Sequence, residues 1–417
     1  MPFWLMTIPI ITPFLVLFAG ITDADGVQEY IWAIWTVFNK AYLIIILYEV
    51  VIKKKRIDQK LASFLFPLFI LCVFIFLHNL FFDFDFKSLY HNLTQVIYVI
   101  PLLLIFLLNE RARPKLKHLY YVCFFILIVQ VLWLPLNFEG IFAYVSRYEL
   151  FVLIPEETDL MPGTFFKSNM LADYVSIVYL FICVDYFNRK KIPSIQFYLV
   201  SLMVGLLLVL TGSKMPIVLA ILTLIASSIL FKRKRDFLFI GVFVLLLSGF
   251  SLMASDVASD ISENEGLNRI TEGLSSFYQS EKGSGGDDNS TISLSTSLID
   301  KYYMRSPFFG NGLSSKGENA YIANGFRTED FQADARLAFT LVEYGILGLV
   351  LFTFFYYSVI SFSCLQAGVG RCALYVIFGF LFLFSITEVG IFYVPHYYYV
   401  FAYCFGLKRE NDILIKL

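Results

Sequence analysis

Arg147, Lys167, Lys214, Arg269, Arg305, Arg327 and Arg336, all in or beside stretches expected to form outer loops, have the chemistry to hold a phosphate. A guanidinium is a planar fork that takes phosphate oxygens two at a time, and converging cations suit a diphosphate. In a chain as apolar as this one, the fitting ligand is a membrane-embedded diphosphate lipid. Taken singly, each cation reads first as a solvated surface charge. Lys214 stands out because it sits at a turn between two apolar runs, where a cation needs a partner or water. Gly310 and Gly312, in Phe308-Phe309-Gly310-Asn311-Gly312-Leu313, permit a sharp turn or close backbone approach to a ligand. With no strand before it, this Gly-x-Gly is not a dinucleotide fingerprint. His78, His91 and His396 fall toward outer helix ends and His118 at a cytoplasmic edge. Each reads first as structural, with an outer histidine as an alternative base. The six cysteines show neither a metal-type spacing nor a disulfide framework.

The elements that must position these residues follow from composition. The chain has 417 residues, 58% hydrophobic and 16% charged, with a mean hydropathy of +0.72. Soluble domains run about 45–50% apolar and about 25% charged, so a soluble globular protein is excluded. An aromatic content of 18% excludes a disordered chain. A net charge of −1 gives no basic field for nucleic acid. The abundance of Phe (46) and Tyr (26) fits a bilayer with aromatic belts.

A bilayer core of about 30 Å takes roughly 20 apolar helical residues. Twelve such runs are predicted, near 3–20, 29–52, 61–82, 89–108, 118–138, 169–187, 194–211, 214–231, 237–254, 336–360, 372–390 and 393–407. The first lacks a basic flank and a small-residue cleavage site, so it reads as a retained helix. The clusters Lys53-Lys54-Lys55-Arg56, Arg111 to Lys117, Arg189-Lys190-Lys191, Lys232-Arg233-Lys234-Arg235 and Lys408-Arg409 fall on alternate loops. That side carries 20 of the 32 basic residues, whereas 21–28 has none and 83–88 has only Lys87. Positive residues stay inside, so both termini are expected in the cytoplasm. The fold class is an all-α integral membrane protein of about 12 transmembrane helices, read as a single polytopic domain over 1–417.

Two outer loops follow, 139–168 and the larger 255–335. In the second, Leu267, Ile270, Leu274 and Phe277 recur at helical spacing, which predicts an amphipathic helix on the membrane face. Lys282 to Ser290 reads as a flexible linker. Ile292 to Tyr303 predicts a second short helix, stopped at Arg305-Ser306-Pro307. Few charges sit inside the spans: Lys40, Asp173, Asp185, Glu343 and Glu388 are the main ones. A transporter would concentrate polar residues at midplane; here they collect at the outer face.

Four stretches together resemble the O-antigen ligase and O-antigen polymerase group of bacterial membrane proteins. They are Pro162-Gly163-Thr164-Phe165-Phe166-Lys167-Ser168-Asn169-Met170-Leu171-Ala172, Leu210-Thr211-Gly212-Ser213-Lys214, Pro307-Phe308-Phe309-Gly310-Asn311-Gly312, and Leu341-Val342-Glu343-Tyr344-Gly345-Ile346-Leu347-Gly348. The likeness spans roughly residues 140–360. Arg147 and Gly163 are separated by fifteen residues, similar to an Arg-x15-Gly pattern of some polymerases. Lys214 stands where the group usually has Arg, which keeps the charge and loses the fork. Ligases carry His-Asn where this chain has Asp334-Ala335, so the resemblance implies a polymerase ahead of a ligase.

The resemblance implies a C-type glycosyltransferase-like fold in the bacterial inner membrane, with a metal-independent, cofactor-free glycosyltransferase site facing outward. The substrates would be undecaprenyl-diphosphate-linked oligosaccharide repeat units, polymerised into O-antigen or capsular polysaccharide, with a chain-length regulator as partner. Asp334 is the candidate base and Arg336 its catalytic neighbour. Arg147, Lys214, Arg269, Arg305, Asn169, Gly310 and Gly312 are the expected substrate-binding residues. Tyr302, Tyr303 and Tyr321 stack on sugars or anchor at the interface. The alternatives are a ligase acting on lipid A-core and a flippase or other transporter.

Overall fold

The computed structural model describes residues 24–54, 62–82, 86–139, 168–189, 192–211, 214–232, 239, 241, 306–312, 336–386 and 394–416. Every regular element among them is helical. In chain order these are α1 (Ala24–Leu47, continued by a π-turn over Tyr48–Ile52), α2 (Ala62–Phe81), α3 (Phe86–Ile97), α4 (Val99–Leu108), α5 (Leu116–Glu139), α6 (Ser168–Arg189), α7 (Ser194–Leu210), α8 (Lys214–Leu230), α9 (Arg336–Gln366), α10 (Arg371–Phe384) and α11 (Val394–Lys416). The spans expected near 3–20 and, but for two residues, 237–254 lie outside the described residues, as do most of both outer loops with the amphipathic helix, linker and Tyr302, Tyr303 and Tyr321.

Among the described residues, three stretches are long and apolar enough to cross a membrane: Glu110–Leu132, Leu171–Asn188 and Leu337–Gln366. Shorter apolar helices occupy Leu65–Phe81, Val99–Leu108, Ser194–Leu208, Met215–Leu230 and Arg371–Phe384. Large apolar side chains face outward at helical spacing, for example Phe66, Phe69, Val73, Phe76, Leu77 and Leu80 on α2. A stripe of that kind is unstable in water and suits hydrocarbon, where a helix satisfies its own backbone.

The chain forms two compact units, one of residues 1–40 and 114–284, the other of 41–113 and 285–417. In the first, α6 packs against α7 and α8, and α5 against α7. Its core is an aromatic stack: the Tyr186 and Phe197 rings lie 3.9 Å apart and within 2° of parallel. The hydroxyls that such a stack buries find partners within it. Tyr179 donates to Ser201 Oγ at 2.9 Å and Tyr186 to Ser194 Oγ at 3.1 Å.

In the second unit α9 packs on α2, α10 and α11, and α11 packs on α4. Tyr397 to Phe405 of α11 are buried on every side, which makes α11 its central helix. The single span expected over 89–108 is two helices meeting at Tyr98. Pro101 accounts for the division, because it has no N–H to offer the Ile97 carbonyl and its ring crowds that oxygen.

Basic residues near the helix ends also close helix termini. Arg113, itself buried, donates from Nε to Phe106 O at 2.9 Å and from Nη2 to Leu107 O at 2.8 Å. These carbonyls are in the last turn of α4, where helix geometry provides no donor. Arg409 of α11 then donates to Arg113 O at 2.7 Å, and Lys408 to Gln366 Oε1 at 3.0 Å. The C-terminus of α9 closes differently. Gly368 takes φ +69°, with Gly368 N bonded to Leu365 O and Val369 N to Cys364 O, the Schellman pattern.

Candidate functional site

The third and fourth of the stretches singled out in the sequence are one packed unit. α9 is interrupted at Gly345, where φ is 67° and ψ −172°. This backbone region is essentially closed to residues with a Cβ. The break frees carbonyls on its N-terminal side and amides on its C-terminal side, and such groups must find partners when buried. The loop over 306–312 supplies them. Asn311 N donates to Val342 O at 3.0 Å and Gly312 N to Glu343 O at 3.1 Å. In return, Ile346 N donates to Pro307 O at 2.9 Å and Leu347 N to Phe308 O at 3.2 Å. Asn311 adds its side chain, Nδ2 donating to Val342 O at 3.0 Å.

The glycines allow this approach. Gly310 and Gly312 have φ of +74° and +60°. A Cβ on Gly310 would fall on the Glu343 carbonyl and the Gly345 amide, one on Gly345 on the Phe308 carbonyl, and one on Gly312 on the Phe82 ring. The expectation for Gly310 and Gly312 was a sharp turn or a ligand contact. The structure shows the turn, and what approaches their backbone is α9.

His78 closes the third side. Its Nε2 is 2.8 Å from Phe309 O, and the ring also engages the Glu343 backbone. Its centroid lies 4.8 Å from those of Tyr344 and Phe82, and 5.6 Å from that of Phe74. A carbonyl only accepts, so Nε2 carries the proton and is engaged rather than available as a base. The Phe74, His78, Phe82 spacing of four was the sequence signal for one ring-bearing face running along α2 and onto the residue after it. The loop carbonyl it meets, 231 residues away, had no signal. Phe308 and Phe309 turn their own rings outward, 68% and 58% exposed.

Arg336 is the first residue of α9. The N-terminus there is anchored by Leu337 N, which donates to Ser385 O beyond the end of α10 at 2.9 Å. Lys214 opens α8 and Asn169 lies in the first turn of α6; Thr211 caps the end of α7 by donating to Leu208 O. The side chains of Arg336, Lys214 and Asn169 are outside the description, and Arg147, Asp334, Arg269 and Arg305 lie outside the described residues altogether. Of the intramembrane acids, Asp185 and Glu343 are buried, each 1% exposed. Among the described residues no group of three His, Cys, Asp or Glu side chains could hold a metal ion.

Residues 199–353 match a family model described as O-antigen ligase. The matched range contains the turn before α8, the 306–312 loop and the Gly345 break; it excludes the stretch entering α6. No curated protein matches the chain.

Proposed function

We propose, starting from the membership of the O-antigen ligase and polymerase superfamily that this match supports, that the chain is the polymerase kind. It would join undecaprenyl-diphosphate-linked repeat units into O-antigen or capsular polysaccharide at the outer face of the inner membrane. The acceptor hydroxyl of one lipid-linked unit attacks the anomeric carbon of the growing glycan. A new glycosidic C–O bond forms, the sugar–diphosphate C–O bond breaks, and undecaprenyl diphosphate leaves with the electron pair. Asp334 takes the hydroxyl proton. Arg147, Lys214, Arg305 and Arg336 stabilise the charge gathering on the leaving diphosphate, with Arg269 and Asn169 completing the substrate contacts. The sugar–diphosphate bond supplies the driving force.

One observation carries the choice of polymerase: Asp334-Ala335 stands where ligases of the group carry His-Asn. The docked loop around Gly310 and Gly312 supports a site on the N-terminal part of α9, because it fixes the backbone at Val342 and Glu343, about two helical turns after Arg336. The matching family accommodates a second reading equally, a ligase that transfers finished glycan to lipid A-core. A surface-polysaccharide ladder from cells lacking the gene separates the two. A polymerase leaves a single repeat unit on its final carrier. A ligase leaves none there and lets long lipid-linked chains accumulate. An unchanged ladder refutes both and returns the transporter reading.

A further inference from the structure

We infer that His78 is a positioning residue: its Nε2–H, bonded to the Phe309 carbonyl, latches the 306–312 loop into the break of α9. The inference rests on the functional reading only in assigning that loop to the glycosyl-transfer site. The latch itself is geometric. One side chain meets both halves of the joint, the loop at Phe309 O and the end of the first helical segment at Glu343 and Tyr344. Asn311 ties down one end of the loop through Val342 O, and His78 holds the turn that precedes it.

The chemistry of the surroundings separates a latch from simple filling. The ring is 6% exposed and lies among Phe74, Phe82 and Tyr344. A phenylalanine would fill the same space. What it lacks is the N–H, and the Phe309 carbonyl would then lose its donor in a setting where water does not replace it cheaply. Apart from the Asn311 side chain, the loop's bonds to α9 are main-chain pairs that form only once the turn is in register. A side-chain donor from α2 fixes that register. The residues placed by it are Gly310 and Gly312, and through the Val342 and Glu343 carbonyls the end of the segment that begins at Arg336.

Hydrogen exchange on the full-length protein in detergent micelles tests the latch without reference to activity. The proteins compared are wild type, His78→Phe and His78→Gln; glutamine carries an N–H at about the reach of Nε2. In His78→Phe, peptides covering 306–312 and 343–348 exchange about tenfold faster, the factor expected for one part-buried hydrogen bond of about 1.4 kcal/mol. In His78→Gln they stay within about threefold of wild type. Equal protection in all three proteins overturns the inference. So does loss of protection in His78→Gln with retention in His78→Phe, which would make ring packing the cause. If His78→Phe does not fold, ring-nitrogen NMR of histidine-labelled wild type, assigned with His78→Gln, decides: an unprotonated Nε2 overturns the latch, a protonated one supports it. The polysaccharide ladder is read alongside, with His78→Gln restoring most of the long chains that His78→Phe loses. A gene deletion without effect on the ladder would remove the functional reading and leave the exchange result standing.

Discussion

Replacing Gly345 with alanine tests the joint between α9 and the loop directly. Two routes are open to the mutant. If the backbone stays at φ 67°, the Cβ adds about 1–3 kcal/mol of conformational strain. Its overlap with the Phe308 carbonyl adds about 1–3 kcal/mol more. If instead residue 345 becomes helical, all four main-chain bonds to the loop are lost. The Ile346 and Leu347 amides can recover ordinary helical acceptors, so the net loss is two bonds, about 2 kcal/mol. Better helix propensity returns about 1 kcal/mol, and the loop's glycines lose their packing against α9. The cheaper route sets the outcome, a destabilisation of about 1–3 kcal/mol with the loop released.

Gly310→Ala meets the same contact from the other side, since its Cβ would strike Glu343 O and Gly345 N. The two substitutions therefore share one penalty. Equilibrium unfolding of the detergent-solubilised protein by SDS titration should give a double mutant no less stable than the worse single mutant by more than about 0.5 kcal/mol. That corresponds to a coupling of about 1 kcal/mol or more. Additive losses would refute the interlocked geometry, and so would a Gly345→Ala protein as stable as wild type.

Other outcomes follow from single residues. Asp334→Asn should lower polymer yield in a complementation assay by about 10²-fold or more at unchanged protein level, the loss expected for a general base; a normal ladder would remove Asp334 from the mechanism. Arg113→Ala should cost about 2–4 kcal/mol in the same SDS titration, because two carbonyls at the end of α4 lose a charged donor. Arg113→Lys should recover less than half of that, since an ammonium cannot serve both carbonyls with a fixed fork. Reporter fusions should find residues near 111–115 and 190–192 in the cytoplasm and residues near 84 outside; the reverse pattern would overturn the orientation read from Lys and Arg.

The positions of the described helices were legible because their cause is local. A run of about 20 apolar residues without a partner for its backbone has little choice but to be a helix in lipid. The division at Tyr98 was written in Pro101, yet Pro67 lies inside α2 without ending it. Proline signals a lost bond, and only the surroundings decide whether the helix yields. The break at Gly345 was hidden for the same reason. A glycine in an apolar run costs little in sequence terms, and what opens α9 is a loop more than thirty residues earlier in the chain. The site was legible as motifs, not as contacts: the Pro307 to Gly312 stretch and the Glu343 to Gly348 stretch were both noticed, but nothing in either says that they exchange hydrogen bonds. In the sequence Arg113 and Arg409 read only as loop charges, and their work as a cap appears only when α4 and α11 lie side by side.

The loop's docking uses mainly the carbonyls of Pro307 and Phe308 and the amides of Asn311 and Gly312, main-chain atoms that every amino acid but proline provides in the same place. The rings of Phe308 and Phe309 take no share in those bonds and face outward. Attachment and presentation are thus governed by different parts of the same six residues. Variation at 308 and 309 can change what the outer surface displays while the grip on α9 stays constant, whereas variation at 310, 312 or 345 ends the grip. A chain arranged this way can explore new partners for its exposed face through single substitutions, without passing through forms that fail to assemble.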